Sequence, residues 1–296
     1  MTNDQQTGPA GTAGPVWTPS EHELSRRAVR RAQDRRRTLV AVLSSVVVIG
    51  GLMVVVGTSK GWPTVQATFF DLSYGLEVLP DIWDGFLLNL RLAAIAIVCI
   101  ALLSMVIALV RTSTAPALAP LRILATVYVD LFRGIPLLLV LLLIGFGVPA
   151  LQLTDTPPSV NVLGTAAVVL TYSAYVAEVI RSGILSVHPS QRAAARSLGL
   201  SQAQTMRHVV LPQAIRRVVP PLLNDLVALL KDIGLVSILG ARDAIRNAQI
   251  ETSTTFNYTP YIVASILFLL VTIPLTRLTD RVLEKSIARQ NASGTA

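Results

Sequence analysis

The sequence predicts an all-α integral membrane protein with six transmembrane helices, and three observations carry that prediction. Hydrophobic side chains make up 52% of the 296 residues and charged ones only 14%, where a water-soluble domain carries about 25% charged residues. Six stretches approach the roughly 20 apolar residues that a bilayer core demands of a helix. Basic residues gather on alternate connections between those stretches, the asymmetry that orients helical membrane proteins.

Residues 1–37 are rich in Gly, Pro, Thr and Gln up to Pro19 and then in arginine, a composition that predicts a disordered tail. The first apolar run, Thr38–Gly57, lacks a small-residue cleavage site and is expected to stay in the mature protein as a span. Residues 58–85 form an outer connection. Phe86–Val110, Ile123–Val148, Val160–Leu185, Val218–Gly240 and Thr259–Leu278 supply five further spans, and residues 286–296 a tail.

With the N-terminus in the cytoplasm, nineteen Lys and Arg fall on inner segments, against Lys60, Arg242 and Arg246 outside. Both termini are therefore expected to be cytoplasmic. A net charge of +8 in a soluble protein would suggest nucleic acid, but these charges flank apolar runs. Seven of them, from Arg26 to Arg37, suit orientation and contact with anionic lipid headgroups, and no nucleic-acid partner is expected. Cys99, the single cysteine, has no partner for a disulfide or metal cluster and suits a packed or lipid-facing position.

After the fourth span comes a polar segment from His188 to Gln204. Ser190 is placed to cap a short helix through Leu198, Ala193, Ala194 and Ala195 favour it, and Gly199 supplies the left-handed residue that ends it. Ser201 opens a second helix, with Gln204 completing a capping box, to about Val210. Pro212 then restarts the chain. Two helices thus meet at a tight turn, and the small side chains leave room for another surface to approach.

The small residues at 193 to 195, Gly199 four positions beyond Ala195, and Val209, Leu211 and Pro212 resemble the EAA loop of permeases in ATP-binding-cassette importers. Tyr128 to Pro136, Tyr175 to Ile184 and Leu229 to Asp232 look like the polar amino-acid uptake branch of that family. The resemblance covers roughly Gly85 to Lys285. It implies one extra N-terminal span, 38–57, added to a five-helix permease core, 86–285, with a cytoplasmic coupling helix in segment 189–212. The coupling residues it implies are Ser190, Gln191, Ala193, Ala194, Ala195, Arg196, Leu198, Gly199, Leu200 and Ser201.

The resemblance further implies import of a polar amino acid across a bacterial inner membrane. The expected partners are an ATP-binding-cassette ATPase dimer that uses ATP and Mg, a second permease copy or paralogue, and an extracytoplasmic amino-acid-binding protein. That binding protein would land on Thr58–Gly85 and Ala241–Tyr258. One departure stands out: Ala193 replaces the glutamate that names the loop. As the third helical residue that glutamate could close a capping box on Ser190, so its loss is expected to cost up to about 1 kcal/mol.

No G-x-x-x-x-G-K-[ST] run occurs, so no P-loop is expected in this chain, nor any cofactor, metal or catalytic residue of its own. Charges inside spans cost about 2.5 to 3.5 kcal/mol each and should face the bundle interior. Asp130 with Arg133, and Glu178 with Arg181, are three residues apart, so each pair can neutralise itself. Alternatively Arg133 or Glu178 meets the charged end of an amino acid where Gly134 and Pro136 loosen the helix. Lys231 and Asp232 point about 100° apart.

Asn224 and Asp225 follow Pro220 and Pro221, which are expected to interrupt their helix. Asn89 and Arg91 lie near the outer end of the second span, where snorkelling is expected. The candidate substrate path is therefore Asp130, Arg133, Gly134, Pro136, Glu178, Arg181, Asn224, Asp225 and Lys231. An ion-gradient-driven secondary transporter, with Asp130, Glu178 or Asp225 as ion site, is the alternative; such folds carry internal repeats, and the two halves of this chain show no convincing match. A membrane-embedded enzyme is disfavoured, because His22, His188 and His208 assemble no zinc or nucleophile constellation within a span.

Overall fold

The computed structural model describes residues 20–153 and 158–293, and every regular element among them is helical. These described residues fall into two compact units, divided between Thr64 and Val65.

In the first unit, α1 runs Glu21–Gly57 with Ser20 as its N-cap, the hydroxyl accepting the Glu23 N–H at 3.3 Å. The arginine-rich stretch expected to be disordered is thus helical from Glu21, while residues 1–19 lie outside the described residues. Arg, Ala and Gln are strong helix formers, and the apolar run beyond them supplies the nucleus that a short polar helix lacks. The apolar side chains from Leu39 to Val56 are exposed.

Helix α2 runs Trp62–Phe69, and α3 runs Leu72–Thr112 behind the N-cap Asp71. Residues 58–85 are therefore mostly helical rather than an open connection. Next come α4, Ala119–Gly134, and α5, Leu137–Ala150. The sequence pattern suggests one span here, but the two helices are bent by 107°. Ile135 is extended at the break, as a residue ahead of a proline must tend to be, and Pro136 cannot donate to a continuing helix.

Helix α6, Val160–Leu185, is the central element, packed by α3, α4, α5 and α9. After it come α7, Pro189–Ser197, then α8, Gln202–Thr205, a π turn at Met206–Val210, and α9, Leu211–Asp232. A 3-10 turn, Ile233–Leu239, leads to α10, Ala244–Thr255, and α11, Thr259–Ser293. Helix α9 continues through Pro220 and Pro221 without the expected interruption. Packing against α3, α6 and α11 holds it across the lost donors.

Four helical segments among the described residues are long and apolar enough to cross a membrane, or five with the bent α4–α5 pair. The six-span expectation counted α9, whose Arg216, Arg217, Asn224, Asp225 and Lys231 take it below that test. Small residues carry the core, with Ala93, Ala96, Ala167 and Ala174 at 1% exposure or less, so backbones approach closely. At Gly85 a Cβ would lie 2.5 Å from the Asp243 carbonyl carbon, so only glycine fits between α3 and the start of α10.

Candidate docking segment and translocation path

Helix α7 begins two residues earlier than the sequence suggests: His188, not Ser190, is its N-cap. Pro189 takes the first helical position, where its fixed φ and missing N–H cost nothing. The His188 Nδ1 accepts the Ser190 N–H at 3.2 Å and pairs with the Ser190 Oγ at 2.7 Å. Position 193 is then the fifth helical residue, too far along for a glutamate to close a capping box. Ala193 therefore costs no cap, contrary to the expectation above.

The other end of α7 forms as the sequence predicts. Gly199 has φ +85°, its N–H bonds the Arg196 carbonyl at 2.9 Å, and the Leu200 N–H reaches the Ala195 carbonyl at 3.2 Å. That pair of bonds is the Schellman arrangement, which requires a left-handed residue. The Ser201 hydroxyl then accepts the Gln204 N–H at 3.3 Å while the Gln204 side chain accepts the Ser201 N–H at 2.8 Å. Of α7 only Ala195 is buried; Ser190, Gln191, Ala193, Ala194, Arg196 and Leu198 face outward, as do Gly199 and Ser201 in the turn, with Leu200 half-buried.

Among the path candidates, Glu178 bonds Arg181 as expected, with the Arg181 Nε at 3.1 Å. It also takes Arg111 from the end of α3 at 2.6 Å, a partner that sequence spacing could not reveal. Both carboxylate oxygens are thus engaged. Asp130 and Arg133 do not pair: Arg133 lies over the Tyr175 ring at 5.8 Å, and Asp130 is exposed. Gly134 and Pro136 flank the α4–α5 bend, and Asn224 and Lys231 are exposed.

Asp225 lines a cavity of about 290 Å³ between α3, α6 and α9, along with Ile100, Tyr172, Val176, Leu222 and Leu226. Its Oδ2 is buried without a hydrogen-bond partner. On the same wall the Tyr172 hydroxyl donates to Asp232 at 2.7 Å, and the Tyr175 ring lies 6.4 Å from that of Tyr172. The geometry thus gathers Asp225 and Tyr172 at one cavity, and leaves Glu178 and Arg181 in a separate ion cluster.

Asn89 is not a snorkelling residue: it is 1% exposed, donates to Asp243 Oδ2 at 2.9 Å and accepts the Ala244 N–H at 3.1 Å. Asp243 is the N-cap of α10 and receives the Arg246 N–H at 2.8 Å. Burial pushes its carboxyl up to about 6, against the lowering effect of those donors. An Asp three residues after a positive-φ glycine is a cap signal that the sequence offers. Its buried partner on α3 has no such signal.

Residues 113–288 match the family of binding-protein-dependent transport system inner membrane components. The chain belongs to this family. Its relatives include the probable glutamine ABC transporter permease protein GlnM of Bacillus subtilis, 36% identical over 65% of this chain and 87% of the relative. The arginine transport system permease protein ArtQ of the same organism is 31% identical over 70% of this chain and 92% of its own length. A crystal structure of an amino acid ABC transporter with histidines superposes with a TM-score of 0.66 at 33% identity, covering 73% of this chain and 98% of that one. As a permease of this family the chain is a multi-pass inner-membrane transport subunit, which accounts for its apolar helices.

Proposed function

We propose that this permease carries a polar amino acid into the cell, driven by ATP that a separate ATPase subunit hydrolyses with Mg. The observation that carries this reading is the α7–α8 segment, an exposed short helix closed by Gly199 and a Ser201 capping box. A groove on the ATPase subunit fits it, with Ser190, Gln191, Ala194, Arg196, Leu198, Leu200 and Ser201 as contacts and Ala193 and Ala195 supplying close packing. The names of the relatives support an amino acid as cargo.

In this reading the α7 end faces the cytoplasm, with both chain termini, and the α10 end receives an amino-acid-binding protein. A second copy or a paralogue completes the path. The Asp225 cavity gives the substrate ammonium group a half-buried carboxylate. The bend at Gly134 and Pro136 admits the solute, and Arg133, held on Tyr175, faces its carboxylate end. Asp130, Asn224 and Lys231 border the path, and the Glu178 cluster with Arg181 closes its inner end.

Reconstitution in liposomes tests this. Uptake is expected only when the chain is combined with its ATPase subunit, its binding protein and ATP. Uptake by the chain alone, driven by a proton or sodium gradient, would overturn it.

A further inference from the structure

A helix end leaves four carbonyls without intrahelical partners, and the C-terminus of α6 shows where those go. The Ser186 hydroxyl donates to the Gly183 carbonyl at 2.6 Å. The Ile184 carbonyl accepts from the Arg192 guanidinium, which comes from α7. The Ser186 carbonyl accepts from Arg217 of α9, and the same nitrogen reaches the Ser186 Oγ at 2.9 Å. Two guanidinium groups from the elements on either side thus converge on one helix end, where the dipole favours positive charge.

Neither arginine has a carboxylate partner among the described residues. Beneath them Ile184, Val187, Val210 and Ala214 are each 3% exposed or less. A Cβ at Gly183 would lie 2.1 Å from Val218 Cγ1, so α6 and α9 are in direct contact there. Helix α7 has no such seat. Only Ala195 is buried, and Arg192 is its one side chain that bonds a spanning helix.

We propose that Arg192 and Arg217 are positioning residues that transmit movement of the docking helix to the ends of α6 and α9. Arg192 is the polar tie between α7 and α6; Arg217 locks α6 to α9, so that a push on α7 moves both together. Without Arg192 the helix pivots on Ala195 and Gly199 and its displacement is lost before it reaches the bundle. This rests on the reading that α7 docks an ATPase subunit, and adds residues outside the docking surface itself.

The test uses the assembled transporter in liposomes, with solute moved per ATP hydrolysed as the readout. Arg192→Gln is expected to co-purify with the ATPase subunit and hydrolyse ATP, while the ratio falls about tenfold, within the range of coupling between sites. Arg192→Lys, which keeps one donor for the Ile184 carbonyl, is expected to recover most of the ratio. Arg217→Gln should lower it in the same way and serves as the second variant if Arg192→Gln does not assemble. An unchanged ratio in an assembled variant overturns the proposal, as does loss of the ATPase subunit from both glutamine variants. A wild-type assembly with no ATP-dependent uptake would instead refute the docking reading.

Discussion

The two ends of the second unit hold their short helices in opposite ways. At one end α10 is set against α3 by backbone contact at Gly85 and by a buried Asn89–Asp243 pair that also satisfies the Ala244 N–H. At the other, α7 stands exposed, seated by Ala195 and tied by Arg192. A buried, fully paired polar contact permits few alternative arrangements, because any shift leaves a donor or carboxylate without a partner in a low dielectric. An exposed helix bonded through a long side chain can move at little cost. Under the proposed function, the contrast separates a fixed element from one suited to receive a partner's motion.

Four measurements would break or sharpen that contrast, taken from the largest expected effect. Gly85→Ala should be the most damaging, by about 3 kcal/mol or more, because the new methyl meets backbone atoms that cannot rotate away. Thermal unfolding in detergent reads it directly, and a wild-type midpoint would mean α10 is not seated as described. Asn89→Ala comes next, at roughly 3 kcal/mol, since it strands a carboxylate oxygen and the Ala244 N–H. Protection of the α10 amides from hydrogen exchange should fall with it.

Gly199→Ala should cost only about 1 to 2 kcal/mol locally, the strain of a left-handed alanine, since no atom lies within 4 Å of the added Cβ. Its midpoint should barely move while transport drops, and the reverse result would make α7 structural. The most gradual change is the pH effect at Asp243, which is spread over about two pH units. Its folded pKa of about 6 lies above the ordinary 3.8, so ionisation weighs against the fold at neutral pH. Stability should rise as pH falls through 6 toward 4, when the folded state takes up the proton first. Comparison with Asp243→Asn isolates that gain, which the variant should lack.

Local rules made much of the α7–α8 segment legible in the sequence. The Schellman turn at Gly199 and the Ser201–Gln204 box depend on residues within five positions of one another, and both form as their spacing predicts. The misjudged cap at Ser190 is a competition between two local signals, won by the proline at the first helical position. Pairing across helices was not legible. Arg111 with Glu178, Asn89 with Asp243 and Arg217 with Ser186 join residues 67, 154 and 31 positions apart.

The sequence by itself determined that the chain is helical and apolar, where most of its helices lie and how α7 turns into α8, because hydrophobic run length, caps and glycine act over a few residues. Only the tertiary structure decided which charges are engaged and which stand free. Glu178 is occupied by Arg111, Asp225 keeps a buried oxygen without a partner, and Arg192 closes a helix end. Those outcomes depend on which helix faces come together, and that follows from small-residue packing over the whole bundle rather than from any local spacing.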